Sequence, residues 1–339
     1  MSLYLGNQKV APVAIVKDNR LAKFVEGELT DFAAVDLEGA TNICDYSLYY
    51  CDRITSVILP NTIISIGKYA FARCSNLMQI IIPDSVIKIG DHAFYNCEAL
   101  KSIKLPDGVT VIGSNTFTNC VNLEGITMGD SVKSIMTNAF DGCRALKSIK
   151  LPDSVTTIDY GAFSNCVSLT DINIPDGVTV IATAAFRNCK ALTSIKIHDG
   201  VTDMGNSAFR GAGLLSIVIP NSMTTIFNQV FEDCTNLIDV VIPDSITIIG
   251  SWAFRNCSSL VNITIPKSVT RLDVESLVIG SATNKATIVM IGTVPPSIQS
   301  STFDSTKLNK IIVPIGRGDA YKSATNWAAF ADYIEEATV

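Results

Sequence analysis

Seven phenylalanines, Phe71, Phe94, Phe117, Phe140, Phe163, Phe186 and Phe209, fall 23 residues apart, and Phe231 and Phe254 continue the series after a one-residue deletion. Around each ring the chain repeats the frame L-x-x-I-x-I-P-D-x-V-x-x-I-G-x-x-A-F-x-x-C. A fixed period in this range means a solenoid, in which every coil buries its apolar face against its neighbours. The 339 residues would otherwise suggest about two domains, but a repeat array lengthens without needing a new core.

One coil, Leu146 to Leu169, shows how the frame is used. Leu146, Ile149 and Leu151 have the inward spacing of a short strand, with Ser148 and Lys150 facing outward between them. Pro152 ends the strand because it has no N–H for a ladder and presets a turn. Asp153 is placed to cap that turn, Val155 and Ile158 return to the core, and Ala162 makes room for Phe163. Strands of successive coils then align in parallel into one concave sheet. The chain is expected to be an α/β-type solenoid of about ten coils, with a cap over 1–39, the repeats proper over 40–277, and a degenerate repeat with a helical cap over 278–339. In the N-terminal cap, Leu3–Leu5 and Val10–Val16 suggest one or two strands. In the C-terminal cap, Trp327, Phe330, Ala331 and Ile334 have helical spacing.

The frame resembles the BspA-like (Treponema-type) leucine-rich repeats of bacterial surface proteins and of some phage-encoded proteins. The resemblance covers about residues 40 to 315, carried by the pattern L-P-D-S-V-x-x-I-x-x-x-A-F-x-x-C. It implies a right-handed leucine-rich repeat array that binds partners without catalysis, displayed extracellularly or at the cell surface. The terminal segment VPIGRGDAYKSATNWAAF resembles caps of gut-bacterial members, whereas YLGNQKVAPV and FVEGELTDF resemble the start of phage or prophage structural proteins. A tail-associated part of a virion is therefore the alternative. The chain departs from the frame at Gly129 and His198 (proline positions), at Leu48 and Leu277 (phenylalanine positions), and in the short coil after Phe209.

Composition removes several classes of function. Charged residues make up 17%, against roughly 25% in average soluble proteins, as expected when much of each coil faces inward. A net charge of −6, with basic residues scattered, argues against nucleic-acid binding, which needs a basic surface. Apolar runs are cut by prolines well short of the ~20 residues of a membrane span. Met1 to Lys9 lack a basic segment followed by an apolar one, so no signal peptide is expected there.

No catalytic, cofactor or metal site is expected. Nine of the ten cysteines (Cys51, Cys74, Cys97, Cys120, Cys143, Cys166, Cys189, Cys234 and Cys257) share one column. Parallel side chains about 4.8 Å apart do not aim their Cβ atoms at one another as a disulfide needs, so these are read as buried packing thiols. The column Asp84, Asp107, Asp130, Asp153, Asp176, Asp199 and Asp244 offers one carboxylate per coil, too few for the 6–8 oxygens of calcium. His92 and His198 sit in different columns, which disfavours a triad, and the S-x-x-K matches at Ser65 and Ser85 fall inside the repeat frame. Arg317-Gly318-Asp319 is read as part of a turn before a helix.

Variation on the outward strand positions is more informative. The middle carries Lys104, Lys150 and Lys196, while Leu215, Val218, Ile238 and Val241 make a later stretch apolar. Grouped outward apolar residues mark a contact patch, here flanked by Lys150 and Lys196, for a protein or glycan partner or for weak self-association.

Overall fold

The computed structural model describes residues 40–337 together with the backbone of two earlier strands, Ala14–Lys17 and Arg20–Phe24. These two form an antiparallel hairpin, and Arg20–Phe24 pairs in parallel with Asn42–Ile43. The expected strand at Leu3–Leu5 and most of the N-terminal cap lie outside the described residues. The chain forms two compact units, 1–177 and 178–339, each a stack of coils.

Each coil has three working stretches. The first is a strand of two or three residues at the sequence L-x-x-I-x-I, paired in parallel with the next coil. Ser56–Ile58 pairs with Gln79–Ile81, and Ser102–Lys104 with Gly125–Thr127. Its inward residues, such as Val57, Ile80 and Ile103, are buried while the flanking ones face out. The proline turn follows and is closed by backbone: the amides of Val86, Val109 and Val155 donate to the carbonyls of Pro83, Pro106 and Pro152. Asp84, Asp107 and Asp153 stand exposed beside these turns rather than capping them. Asp199 instead accepts the amide of Asn221, one coil on, at 3.0 Å.

The second stretch is a two-residue strand around the V-x-x-I segment, absent from the sequence expectation. In the first unit Ile43, Ile66 and Ile89 are in register in one such ladder, and Ile112, Ile135 and Ile158 in another. The second unit repeats the device at Ile226, Ile249, Leu272 and Ile298. Most coils therefore contribute two strands, not one; the coil beginning at Leu192 contributes only Asp203–Met204.

The third stretch is the A-F turn. Residues two before and two after the phenylalanine are left-handed: Tyr69 (φ 55°) and Arg73 (φ 62°) flank Phe71, and Asn115 (φ 56°) and Asn119 (φ 58°) flank Phe117. Left-handed residues on both sides turn alternate amides toward the next coil. The amides of Tyr69, Phe71 and Arg73 thus donate to the carbonyls of Asp91, Ala93 and Tyr95 at 3.1, 2.8 and 2.6 Å. Asparagine and glycine recur at these columns because they tolerate positive φ at least cost.

Beneath this turn the rings form a column. In the first unit Phe71, Phe94, Phe117, Phe140 and Phe163 lie parallel at centroid distances of 5.3 to 5.5 Å. In the second unit Phe186, Phe209, Phe231 and Phe254 do the same, and the widest gap, 5.9 Å, spans the one-residue deletion. Gly213 absorbs that deletion, since a Cβ there would lie 1.9 Å from the Lys190 carbonyl oxygen.

The array runs to about 13 turns rather than ten, because strands continue past Phe254. Asn262–Ile265, Ala286–Met290, Leu308–Pro314 and Ile334–Ala337 pair successively in parallel. Among the described residues, helix is confined to Gly318–Ser323 and a 3₁₀ turn at Trp327–Tyr333. Ile334, expected on a helix, is in the last strand, while Trp327 and Phe330 are buried on the 3₁₀ turn. Their spacing of three residues suits three residues per turn as well as it suits an α-helix.

Phe117 has ring neighbours on both sides, so Phe117→Ala should destabilise by ~3–5 kcal/mol. Phe117→Leu should recover much of that loss, because Leu48 and Leu277 fill the same position, buried, near the ends. Equal melting temperatures for the alanine variant and the parent would refute the column as a stabilising element.

Candidate functional site

The outward apolar residues of the second unit lie on two neighbouring strands, Ser216–Val218 and Asp239–Val241. Parallel pairing sets Ser216 opposite Asp239, Ile217 opposite Val240, and Val218 opposite Val241. The alternation of a strand buries Ile217 and Val240 and turns Val218 and Val241 outward, 62% and 48% exposed. Leu215 and Ile238 precede the two strands, joined by the bond from the Ile238 amide to the Leu215 carbonyl at 2.8 Å, and are 45% and 60% exposed. The four side chains form a surface interrupted by the polar Ser216 and Asp239. Lys196 is exposed one coil earlier in the column of Val218. Lys150, also exposed, belongs to the first unit.

The remaining candidates make the following contacts. Cysteine thiols of the column donate across coils, from Cys97 to the Phe71 carbonyl at 3.1 Å and from Cys120 to the Phe94 carbonyl at 3.2 Å. Cys143, Cys166, Cys234 and Cys257 repeat the contact. They thus do more than fill space. Burial pushes the Cys120 and Cys234 thiols up to about 12 and keeps them protonated. All ten cysteines are free thiols, and among the described residues no group of His, Cys, Asp and Glu is arranged to hold a metal.

His92 stacks on Tyr69 at 4.3 Å, and His198 accepts the Gly200 amide at 3.1 Å, closing its own turn. Ser65 and Ser85 donate to Asn42 and to the Ile63 carbonyl of the preceding coil. Arg317-Gly318-Asp319 is held at the helix start by Glu336, whose carboxylate accepts the amides of Gly316 at 2.9 Å and Gly318 at 2.5 Å. Those bonds, Gly316 first, hold the Glu336 carboxyl below its usual range.

Two features escaped the sequence reading. Glu232, 4% exposed, sits between Arg210 at 3.2 Å and Arg255 at 3.6 Å, and Arg255 extends the network to Glu275 at 2.9 Å. Arginine, glutamate and arginine one place after successive phenylalanines are the signal that would have found it. Tyrosines at 46, 49, 50, 69 and 95, clustered in the first coils, would have pointed to the second feature, an aromatic cluster.

Parallel coils of about 23 residues with buried leucine, phenylalanine and cysteine columns define a leucine-rich-repeat solenoid. The chain belongs to the BspA type leucine rich repeat family, whose repeat region matches residues 41–170, 156–278 and 205–324. It is similar to a leucine rich cell surface protein of Faecalibacterium prausnitzii A2-165, with 29% identity, a TM-score of 0.54, and coverage of 86% of this chain and 79% of that one. A leucine-rich repeat protein of Bacteroides ovatus ATCC 8483 shows 25% identity, a TM-score of 0.60 and 88% coverage of both chains. The pneumococcal vaccine antigen PcpA, at 18% identity, TM-score 0.55 and coverage of 84% of this chain and 78% of that one, shares the fold. Nothing among curated proteins matches the chain.

Two measurements follow. Thiol titration should count ten reactive cysteines after unfolding but only one fast one in the native protein, Cys44, which alone is partly exposed; several fast native thiols would contradict the buried column. Glu336→Gln should lower the melting temperature at neutral pH. A depressed folded pKa gives stability that is present above the ordinary glutamate pKa of about 4.3 and lost as pH falls, so parent and variant should converge in acid. A gap that persists unchanged at pH 3 or below, about one unit under that value, would exclude the carboxylate as its source.

Proposed function

We propose that this chain is a non-catalytic binding scaffold of a bacterial surface, and that its second unit docks a protein partner on Leu215, Val218, Ile238 and Val241. One observation carries the reading: four large apolar side chains of two paired strands stand 45–62% exposed on one surface. Such a surface stays in water only at a cost in solubility, and apolar clusters with polar rims dominate protein interfaces. Lys196, one coil earlier in the column of Val218, supplies an exposed cation beside the patch, which favours a partner with acidic side chains around an apolar centre. Display at a surface is supported by the family and by the Faecalibacterium relative described as a cell surface protein. The regular coils give the patch a rigid backing, so little ordering entropy opposes association.

The double variant Val218→Lys/Val241→Lys tests this. Both positions face outward, so folding and melting temperature should be unchanged. Binding to an array of bacterial and host extracellular proteins should fall by about a hundredfold or more, as expected when two hot-spot contacts are replaced by charge. Sedimentation of both proteins separates self-association from heterologous binding. A double variant that binds the same array members with the parent's affinity would refute the assignment.

A further inference from the structure

We propose that the first unit carries a separate binding surface, an aromatic-edged groove of mixed polar and apolar lining across its first four coils that takes an uncharged oligosaccharide. The groove, about 1010 Å³ and open, runs along the two-residue strands between Asn42 and Gly113. Its charged lining residues are Asp45, Lys68, Lys88 and Asp91, two carboxylates and two ammonium groups that cancel. Lys68 pairs with Asp91 at 3.3 Å, and Asp45 accepts the Lys68 amide at 2.7 Å. A balanced groove of this kind has no field to hold a polyanion or a polycation. It has no enclosed apolar volume for a small hydrophobe either. Its polar groups, set among the exposed Ile87 and Val111, suit a ligand that carries hydroxyl donors and acceptors together with C–H faces at every unit, as a sugar does.

The aromatic border is the second, independent observation. Tyr46, Tyr69 and His92 each follow a groove residue directly in the chain, and they form a stacked row, 4.8 Å then 4.3 Å between centroids. Tyr49 meets the row edge-on at 5.7 Å from Tyr46, and Tyr95 meets it at 5.7 Å from His92. Tyr46 and Tyr49 are 57% and 41% exposed. The three stacked residues occupy left-handed backbone, at φ 59°, 55° and 59°. The next coils place Asn115, Asn138 and Gly161 at the same column, the residues that conformation favours. Aromatic bodies with hydroxyl tips beside this mixed groove offer C–H contact and hydrogen bonds together. Four coils at about 4.8 Å span about 14 Å, the reach of a short oligosaccharide.

The test uses Tyr46→Asn/Tyr69→Asn, which removes both rings while installing the residue that later coils use. Maltotetraose, cellotetraose, chitotetraose and mannotetraose are titrated up to about 10 mM by calorimetry and saturation-transfer NMR. At least one should bind the parent, with affinity lost at least about tenfold in the double variant and its melting temperature held or raised. Lys88→Glu, which leaves the rings untouched, should weaken the same sugar. Val218→Lys/Val241→Lys should bind it as the parent does, so failure here is distinct from failure of the protein-docking surface. Three results overturn the proposal: no tetrasaccharide binds, the double variant binds undiminished, or the double variant unfolds while Lys88→Glu binds normally. A protein partner lost in the tyrosine variant with no sugar bound also overturns it.

Discussion

At the phenylalanine turns within each unit, backbone amides donate to carbonyls one coil ahead, and the rest of the structure follows from keeping those donors aligned. The bonds from Tyr69, Phe71 and Arg73 require left-handed residues on both sides of the ring. That geometry fixes the ring's direction, so that phenylalanines of neighbouring coils meet nearly parallel. With the ring set, the leucine and isoleucine positions of both strand ladders are buried coil after coil within each unit, and their outward neighbours face solvent. A surface on such an array is a matter of which residues occupy fixed outward positions. Changing a pair of them alters recognition without disturbing the coil.

The cysteine column shows how a buried polar requirement is met by a side chain that also packs as a hydrophobe. The Phe71 carbonyl lies inside the array and receives the Cys97 thiol. Serine would donate more strongly but bring a larger desolvation penalty, and alanine, as at Ala212, offers no donor. Glu232 illustrates the opposite solution: a buried charge is kept because Arg210 and Arg255 flank it on adjacent coils.

Much of this was legible in the sequence, and the omissions have physical causes. Phe94, Leu100 and Pro106 recur at fixed intervals because each needs one residue type, and those columns gave the fold. The two-residue strands, such as Ser65–Ile66, are too short to show a period of two. Left-handed columns were hidden because Tyr69, Asn115, Gly161 and Gln229 share a conformation and little else. The extra turns after Phe254 were undercounted because Leu277 takes the ring's place in one coil and the next ring, Phe303, falls outside the 23-residue period. Of the surface positions, the outward placement of Val218 and Val241 could be read from alternation along the strand. The stacking of Tyr46, Tyr69 and His92 could not, because nothing in the frame says where a side chain at positive φ will point.

Ten thiols and no disulfide make the order of events during biogenesis matter. In the unfolded chain each thiol is open to oxidation, and a single wrong pair would tie together coils that must lie side by side. Once Phe94 and its neighbours close over Cys97 and Cys120, the sulfurs are beyond the reach of oxidants. Contacts between residues about one coil apart form quickly, because the loops to be closed are short. Speed of coil closure is therefore the chain's protection against its own cysteines, and a mutation that slows it would show first as mispaired disulfides made in an oxidising setting, before any change in the stability of the finished molecule.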